Sequence, residues 1–137
     1  MTLRQAFARR VDALDAIVAF TDRAVDPAAL APAKRQVLHF AIEELFTNMV
    51  KYSPAGAAHI VLELTCNEGD IEVTLIDSGV ERFDPTAAPD AQTALAIEDR
   101  QPGGLGLHLV RRMVEALHYE YVAERHESRT AFRVRAC

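Results

Sequence analysis

The chain has 137 residues, a formal net charge of −5 and 50% hydrophobic residues. This length is enough for one domain with a sizeable core, and the composition is that of a folded protein and not of a disordered one. The negative charge argues against a surface that neutralises nucleic-acid phosphates or anionic lipids, so we expect neither direct nucleic-acid binding nor membrane binding. We therefore expect a single domain over residues 1–137.

The cysteines and the amino terminus bear on where the protein works. Cys66 lies in a strand-like run and Cys137 is the last residue, which favours a reducing compartment over a disulfide framework. The amino terminus lacks the apolar core of a secretion signal, and no run approaches the roughly 20 apolar residues of a membrane span. These features predict a cytoplasmic protein.

The first part of the chain is predicted to contain a short strand and two helices. Leu3 and Phe7 fit either an early helical turn or an edge strand over residues 2–8, and we favour the strand. Apolar residues with helical spacing predict a helix over residues 12–25, and a second helix over residues 33–52 after two prolines. The second helix has a continuous apolar stripe that can face a sheet.

A β-hairpin and a lid are predicted next. Residues 60–66 and 71–75 alternate between apolar and polar side chains with period two, and the turn-forming segment Asn67-Glu68-Gly69-Asp70 separates them. Residues 82–104 contain three prolines and no clear periodicity. Such a long irregular segment is typical of a functional lid.

The last part of the chain is predicted to form a third helix and a second hairpin. Helical spacing returns over residues 105–117, and strand-like residues follow over residues 119–136 with Glu127-Ser128-Arg129 as the turn. Hairpins in place of repeated βαβ units predict an α+β fold. We expect a two-layer sandwich in which helices pack on one face of a mixed, mostly antiparallel sheet.

The first motif whose side chains can bind a ligand or take part in a reaction is Glu44-x-x-x-Asn48 in the second helix. Residues four apart project from the same face of a helix, so both side chains can meet one ligand. An Asn carbonyl oxygen suits Mg²⁺ that bridges nucleotide phosphates, and a carboxylate one turn earlier can orient or deprotonate an attacking hydroxyl or water. A solvated polar helix face is the alternative interpretation.

The second motif is Asp77-Ser78-Gly79 at the end of a predicted strand. Period-two alternation places Asp77 on the same buried face as Val73 and Leu75. An ionised carboxylate only accepts hydrogen bonds, so it can bind the exocyclic amino group of adenine, and Gly79 lets a flat ring approach the backbone. An ordinary Asp-Ser-Gly turn explains the same residue types.

The third motif is Gly103-Gly104-Leu105-Gly106-Leu107, which leads directly into the third helix. A helix start offers unpaired backbone N–H groups and the positive end of the helix dipole to an anion such as phosphate. The segment is not a dinucleotide fingerprint, because Leu109 occupies the position of the third glycine, and no Gly-Lys-Ser/Thr of a P-loop follows. A flexible loop with a helix cap is the alternative.

Taken together and in this order, the motifs resemble those of the GHKL, or Bergerat-fold, ATP-binding superfamily. The segment from Ala41 to Tyr52 is similar to its N box, and Asp77-Ser78-Gly79 with Phe83-Asp84-Pro85 is similar to its G1 box. The segment from Gly104 to Val110 is similar to its G2 box. Within the superfamily, the chain most resembles the small serine kinases that act as anti-sigma factors in bacterial partner-switching systems.

The resemblance implies that ATP and Mg²⁺ are cofactors. By this resemblance Asn48 would hold Mg²⁺ and Glu44 would be the catalytic base. Asp77 and Gly79 would recognise adenine. Thr130, in Arg129-Thr130-Ala131-Phe132, is similar to a threonine that supports adenine binding in the family.

The resemblance also implies a set of phosphate contacts. The predicted phosphate-binding loop consists of Gly104, Leu105, Gly106 and Leu107. An ATP lid would cover it over about residues 86–103. Lys51 and Arg100 are weaker candidates for phosphate contacts, since a solvated lysine at a helix end has an ordinary structural explanation.

The implied activity is that of a protein serine/threonine kinase. Its substrate would be a small antagonist protein of the STAS type, which would compete with a sigma factor or another regulated target for this chain; a homodimer is a further expected assembly. The alternative is a nucleotide-gated protein-binding module with little or no phosphotransfer. We favour both over the catalytic domain of a sensor histidine kinase, which needs a preceding helical hairpin to present a histidine.

Overall fold

The computed structural model of the chain describes residues 1–52, 59–80 and 104–135. Within these ranges the chain forms five β-strands and three α-helices. In chain order they are β1 (Thr2–Ala8), α1 (Leu14–Ala24), α2 (Pro32–Tyr52), β2 (His59–Asn67), β3 (Asp70–Ser78), α3 (Gly104–Met113), β4 (Glu115–Val122) and β5 (Glu127–Arg135). Short 3-10 turns occur at Val11–Ala13, Pro27–Ala29 and Ala123–Arg125.

The strands form one sheet in the order β1-β2-β3-β5-β4, with β3 at its centre. All four pairings in the described residues are antiparallel. The helices pack on one face of this sheet, and the predicted α+β two-layer sandwich is confirmed. The antiparallel pairings agree with the predicted mostly antiparallel sheet, and no parallel pair occurs in the part of the chain that is described.

The core lies between the helices and the helix-facing side of the sheet. Buried side chains alternate with side chains that are mostly half-buried along β2, β5 and the first part of β3, as expected for a sheet with one covered face. Phe7 of β1 and Phe20 of α1 add an edge-to-face contact with ring centroids 5.5 Å apart. Burial of one large apolar side chain stabilises the folded state by about 1.5–3 kcal/mol. Because many such side chains lie between the helices and the sheet, the packing of these two layers is the main source of stability.

Helix α2 supplies the largest part of the helical layer. It begins at Pro32, which fits a first helical turn because its missing N–H would have no intrahelical partner there. Its buried apolar side chains recur at three- and four-residue intervals: Leu38, Ala41, Ile42, Leu45, Phe46 and Met49. Because this stripe fixes the rotation of α2 on the sheet, it also fixes where the polar side chains beside it point.

Several predictions of secondary structure are confirmed. Residues 2–8 form strand β1, and the two predicted helices of the first part correspond to α1 and α2. The first hairpin turns at Glu68 and Gly69, whose φ values of 46° and 90° match a two-residue hairpin turn with positive φ at both positions.

The predicted end of the third helix is wrong. Helix α3 ends at Met113, and β4 starts at Glu115 and includes Leu117. Ala116 has a φ of 55°, and the register of β4 against β5 shifts between Glu115 and His118. Leu117 fits a strand face as well as a helix stripe, so its apolar character did not distinguish the two structures.

The predicted turn of the second hairpin is also wrong. Residues Glu127, Ser128 and Arg129 lie inside β5, and the connection is the 3-10 turn Ala123–Arg125 followed by His126. His126 has a φ of 48° in the left-handed region, a conformation in which histidine is enriched among residues other than glycine. None of the helices in the described ranges is both long and apolar enough to cross a membrane.

Leu38 and Leu109 provide a matched test of the helical layer. Leu38 of α2 is fully buried, whereas Leu109 of α3 is 45% exposed. We expect Leu38→Ala to lower the free energy of unfolding by about 2–5 kcal/mol, because it removes packed methyl groups and leaves a cavity. Leu109→Ala should cost about 0.5 kcal/mol or less. Urea unfolding followed by circular dichroism measures both, and equal losses would contradict the described packing.

Candidate nucleotide site

Asn48 is held in one orientation by its own helix. The side chain is 1% exposed, and its Nδ2 donates to the Glu44 carbonyl oxygen at 2.7 Å. This bond uses one of the two N–H donors of the amide and orients the group, and Oδ1 is the acceptor that the side chain offers to a ligand. A neutral, hard oxygen of this kind is a type of ligand that Mg²⁺ accepts, and the metal role of Asn48 stays a prediction.

Glu44 and Gly106 bring α2 and the start of α3 together. A Cβ atom built on Gly106 would overlap the Glu44 carboxyl group, with Oε1 at 2.8 Å and the other two carboxyl atoms closer still. The absence of a side chain at Gly106 therefore makes room for this carboxylate. Contacts between the two helices thus place the predicted base directly beside the predicted phosphate-binding loop.

Burial raises the pKa of Glu44 above its ordinary value, and the neighbouring negative charge of Glu43 raises the pKa further. The positive charge of Lys51 acts in the opposite direction. Lys51 is exposed and lies seven residues after Glu44, on the same side of α2. A carboxylate with a raised pKa is a stronger base once it is ionised, which suits a proton acceptor.

The first turn of α3 contributes backbone groups to the site. The helix begins at Gly104, and the first four N–H groups of a helix have no intrahelical partner. Leu105 and Gly106 lie in this turn. The Leu107 side chain is 2% exposed and belongs to the core, so Leu107 can reach a phosphate only through its backbone N–H.

Asp77 is buried at the end of β3, as the strand alternation predicts, and it forms an ion pair. Its Oδ1 accepts a hydrogen bond from the Arg9 guanidinium, which also donates to the Met49 carbonyl oxygen at 3.3 Å. Burial lowers the pKa of Arg9, but a guanidinium remains protonated in proteins. The sequence indicated that a buried carboxylate needs a partner, but only the structure identifies Arg9, which lies 68 positions away.

The backbone after Asp77 turns away from the sheet at Gly79. This residue is exposed and has a φ of 68°, in the left-handed region that glycine adopts without strain. Val80, which follows it, donates its N–H to the His126 carbonyl at 3.0 Å and accepts from the Tyr121 hydroxyl at 2.7 Å. These two bonds fix the path of the chain as it leaves β3.

Thr130 has a buried hydroxyl group near Asp77 on the same face of the sheet. Thr130 is fully buried, and its Oγ1 has no hydrogen-bond partner within the described residues. On β5 it lies two residues after Ser128, which pairs directly with Asp77. A buried polar group without a partner is costly, and a ligand or a bound water satisfies it. The role of Thr130 in supporting adenine binding stays a prediction.

The structure connects several of the predicted site residues. Glu44 lies against Gly106 at the start of α3, and Asn48 bonds to the backbone of Glu44. Arg9 connects the Met49 carbonyl of α2 to Asp77 on β3. Phe83-Asp84-Pro85, the predicted lid over residues 86–103 and Arg100 within it lie outside the described residues.

Two comparisons with known proteins indicate the family of the chain. The family described as histidine kinase-like ATPase domain matches residues 7–134. The serine/threonine-protein kinase BtrW of Bordetella bronchiseptica (strain ATCC BAA-588 / NCTC 13252 / RB50) is 33% identical over 88 residues. That match covers 63% of this chain and 61% of the relative, so the chain spans about three fifths of the length of that protein.

The raised pKa of Glu44 predicts a pH-dependent cost of folding. The folded state binds this proton more tightly than the unfolded state, so the contribution of Glu44 to stability falls as pH rises from the ordinary value of 4.5 through the folded pKa. Glu44→Gln keeps the shape without the charge. We expect the variant to become more stable than the original protein at neutral pH, and this gain to disappear below pH 4.5.

Thermal unfolding between pH 4 and pH 8 tests this expectation. Glu72→Gln removes an equal charge from an exposed position of β3 and controls for the change in net charge. A stability difference for Glu44→Gln that stays constant over this pH range would contradict the assigned burial.

Gly106→Ala tests the contact between α3 and Glu44. The colliding atoms are the end of a flexible side chain, and alanine favours a helix by about 0.5–1 kcal/mol over glycine, so the fold should persist. The Glu44 carboxylate, however, must move away from the start of α3. We expect ATP turnover to fall by at least about tenfold, since a small misplacement of the predicted base is costly. Unchanged turnover with an unchanged melting temperature would refute this geometry.

Proposed function

The chain belongs to the histidine kinase-like ATPase domain family, and we propose that it is an ATP-dependent protein serine/threonine kinase. The observation that carries this proposal is the position of Glu44. Its half-buried carboxylate lies one turn from Asn48 and directly against Gly106 at the start of α3. A base beside a phosphate-binding helix start is what transfer of a phosphoryl group to a hydroxyl requires.

Each residue of the site has a role in this proposal. Mg²⁺, when bound, neutralises charge on the nucleotide phosphates, and Asn48 would be its protein ligand. Glu44 would accept the proton of a serine or threonine hydroxyl as the hydroxyl oxygen bonds to the γ-phosphorus and the bond from that phosphorus to ADP breaks. The N–H groups of Gly104, Leu105 and Gly106 would hold the phosphates, and Lys51 would add positive charge nearby.

The adenine-binding part of the site would recognise the ring by hydrogen bonding. The Asp77 carboxylate would accept from the exocyclic amino group, and the buried Thr130 hydroxyl would find its missing partner in the ring or in a water beside it. Gly79 would let the ring approach the backbone, since it has no side chain at the end of β3. The kinase named in the comparison supports a phosphotransfer role for this site.

The proposed substrate is a small STAS-type antagonist protein in the cytoplasm. In its unphosphorylated form the antagonist would compete with a sigma factor or another target for binding to this chain. This chain would act as a monomer or as a homodimer. Phosphorylation adds about −1.5 to −2 charges, and placed in an interface it separates partners by repulsion and desolvation. The chain would then act as an anti-sigma factor or a similar partner-switching regulator.

The decisive experiment compares phosphotransfer and nucleotide binding in two variants. The protein is incubated with labelled ATP, Mg²⁺ and candidate antagonist proteins encoded nearby. Glu44→Gln should reduce transfer by at least about 100-fold while Mg-ATP affinity changes little, because a general base contributes about 10²–10⁴-fold. Asn48→Ala should remove the Mg²⁺-dependent part of the affinity.

The outcomes separate the candidate functions. Binding of ATP without transfer to any partner would replace the kinase with a nucleotide-gated binding module. Failure of the unaltered protein to bind ATP would refute the nucleotide site itself. An Asn48→Ala variant with full Mg²⁺-dependent affinity would refute the metal role of that residue alone.

A further inference from the structure

We propose that Arg9 is a positioning residue that sets the base selectivity of the nucleotide site, by holding the Asp77 carboxylate as a hydrogen-bond acceptor for a 6-amino purine. Arg9 lies just after β1 and outside the three motifs that outline the site. The inference rests on the proposed nucleotide site and adds a determinant of its specificity.

The first step of the argument is the burial of the ion pair. The Arg9 side chain is 7% exposed and the Asp77 side chain is 1% exposed. Isolated buried charges are costly, and a buried carboxylate without a positive partner takes up a proton. Among the described residues, those across from Asp77 on the neighbouring strands are Ile60 and Ser128, which carry no charge. The guanidinium is therefore the group that compensates the carboxylate.

The second step is the way in which Arg9 is anchored. Its second hydrogen bond goes to the Met49 carbonyl, one of the last four carbonyls of α2, which have no intrahelical partner. A cation is also favourable near this negative end of the helix. Met49 follows Asn48 directly. The rigid guanidinium therefore links Asp77 on β3 to the segment of α2 that contains the predicted metal ligand. Asp77 is thus held at a set distance from the phosphate end of the site.

The third step is the chemistry that this arrangement selects. Arg9 binds Oδ1, which leaves Oδ2 of Asp77 to meet a base. An ionised carboxylate accepts hydrogen bonds but donates none, so it favours the 6-amino group of adenine and repels the 6-keto oxygen of hypoxanthine or guanine. A buried carboxyl group without a positive partner tends to bind a proton, and its O–H can then donate a hydrogen bond to a keto oxygen. Arg9 thereby determines selectivity without touching the base.

The test measures the dissociation constants of ATP and ITP in the presence of Mg²⁺. These nucleotides differ in the base at the 6-position, which is an amino group in ATP and a keto group in ITP. We expect the ratio of the ITP to the ATP dissociation constant to fall by at least about tenfold in Arg9→Met, since hydrogen-bond discrimination is lost. Arg9→Lys retains the charge and should restore most of the ratio.

Two further variants keep the test interpretable. Arg10→Met is the matched control, because Arg10 is adjacent in sequence but exposed, and it pairs with the exposed Asp12 at 2.6 Å. Its ratio should equal that of the unaltered protein. Arg9→Gln is milder than Arg9→Met, and circular dichroism shows which variant is folded. If Arg9→Met does not fold, the ratio of Arg9→Gln decides, and the same fall is expected.

The results that would overturn the inference are distinct from failure of the nucleotide site. An unchanged ratio in a folded Arg9 variant, with both affinities weakened equally, would make Arg9 a structural clamp only. Tighter ATP binding by that variant would make Arg9 an obstruction and would also overturn the inference. Failure of the unaltered protein to bind either nucleotide would refute the proposed function, and the inference with it.

Discussion

The packing of α2 on the sheet is the contact on which the rest of the structure depends. Its apolar stripe buries large side chains such as Leu45 and Phe46, and this burial is the principal stabilising interaction between the two layers. Because one side of α2 is buried in the core, the helix cannot rotate about its axis on the sheet. The Glu44 carboxylate consequently lies against Gly106 at the start of α3, because Glu44 shares the helix with the stripe. Stability and the geometry of the site therefore have a common origin.

The two carboxylates of the site show how environment sets role. Burial raises the pKa of Glu44, and the positive charge of Lys51 offsets this only in part, so the carboxylate suits proton transfer. Asp77 is more deeply buried, but the Arg9 guanidinium compensates its charge, so it suits fixed hydrogen-bond acceptance. In the proposed function, the same functional group would accept a proton near the phosphates at Glu44 and would accept a hydrogen bond from adenine at Asp77. Arg9 connects Asp77 to α2 through Met49.

Local sequence patterns predicted most of the fold. Period-two alternation and a Glu68-Gly69 turn identify β2 and β3, and the order of hairpins and helices identifies the two-layer α+β class. The predictions failed near Leu117 and Ser128, where a register shift and an unusual turn decide the structure. At Leu117 the sequence fits a helix and a strand equally well, and at Ser128 it fits a turn and a strand. Only pairing of β4 with β5 distinguishes them, because that pairing satisfies the backbone hydrogen bonds of both strands.

By itself the sequence determined the fold class, the face of α2 on which Glu44 and Asn48 lie, and the burial of Asp77. These follow from helix and strand periodicity, which are local properties of the chain. The tertiary structure alone decided that Gly106 makes room for Glu44 and that Arg9 compensates Asp77. Periodicity predicts the face of a helix or strand on which a side chain lies, but not the residue that the side chain contacts. Contacts between distant segments are set by how the layers pack, and that packing gives each carboxylate its environment.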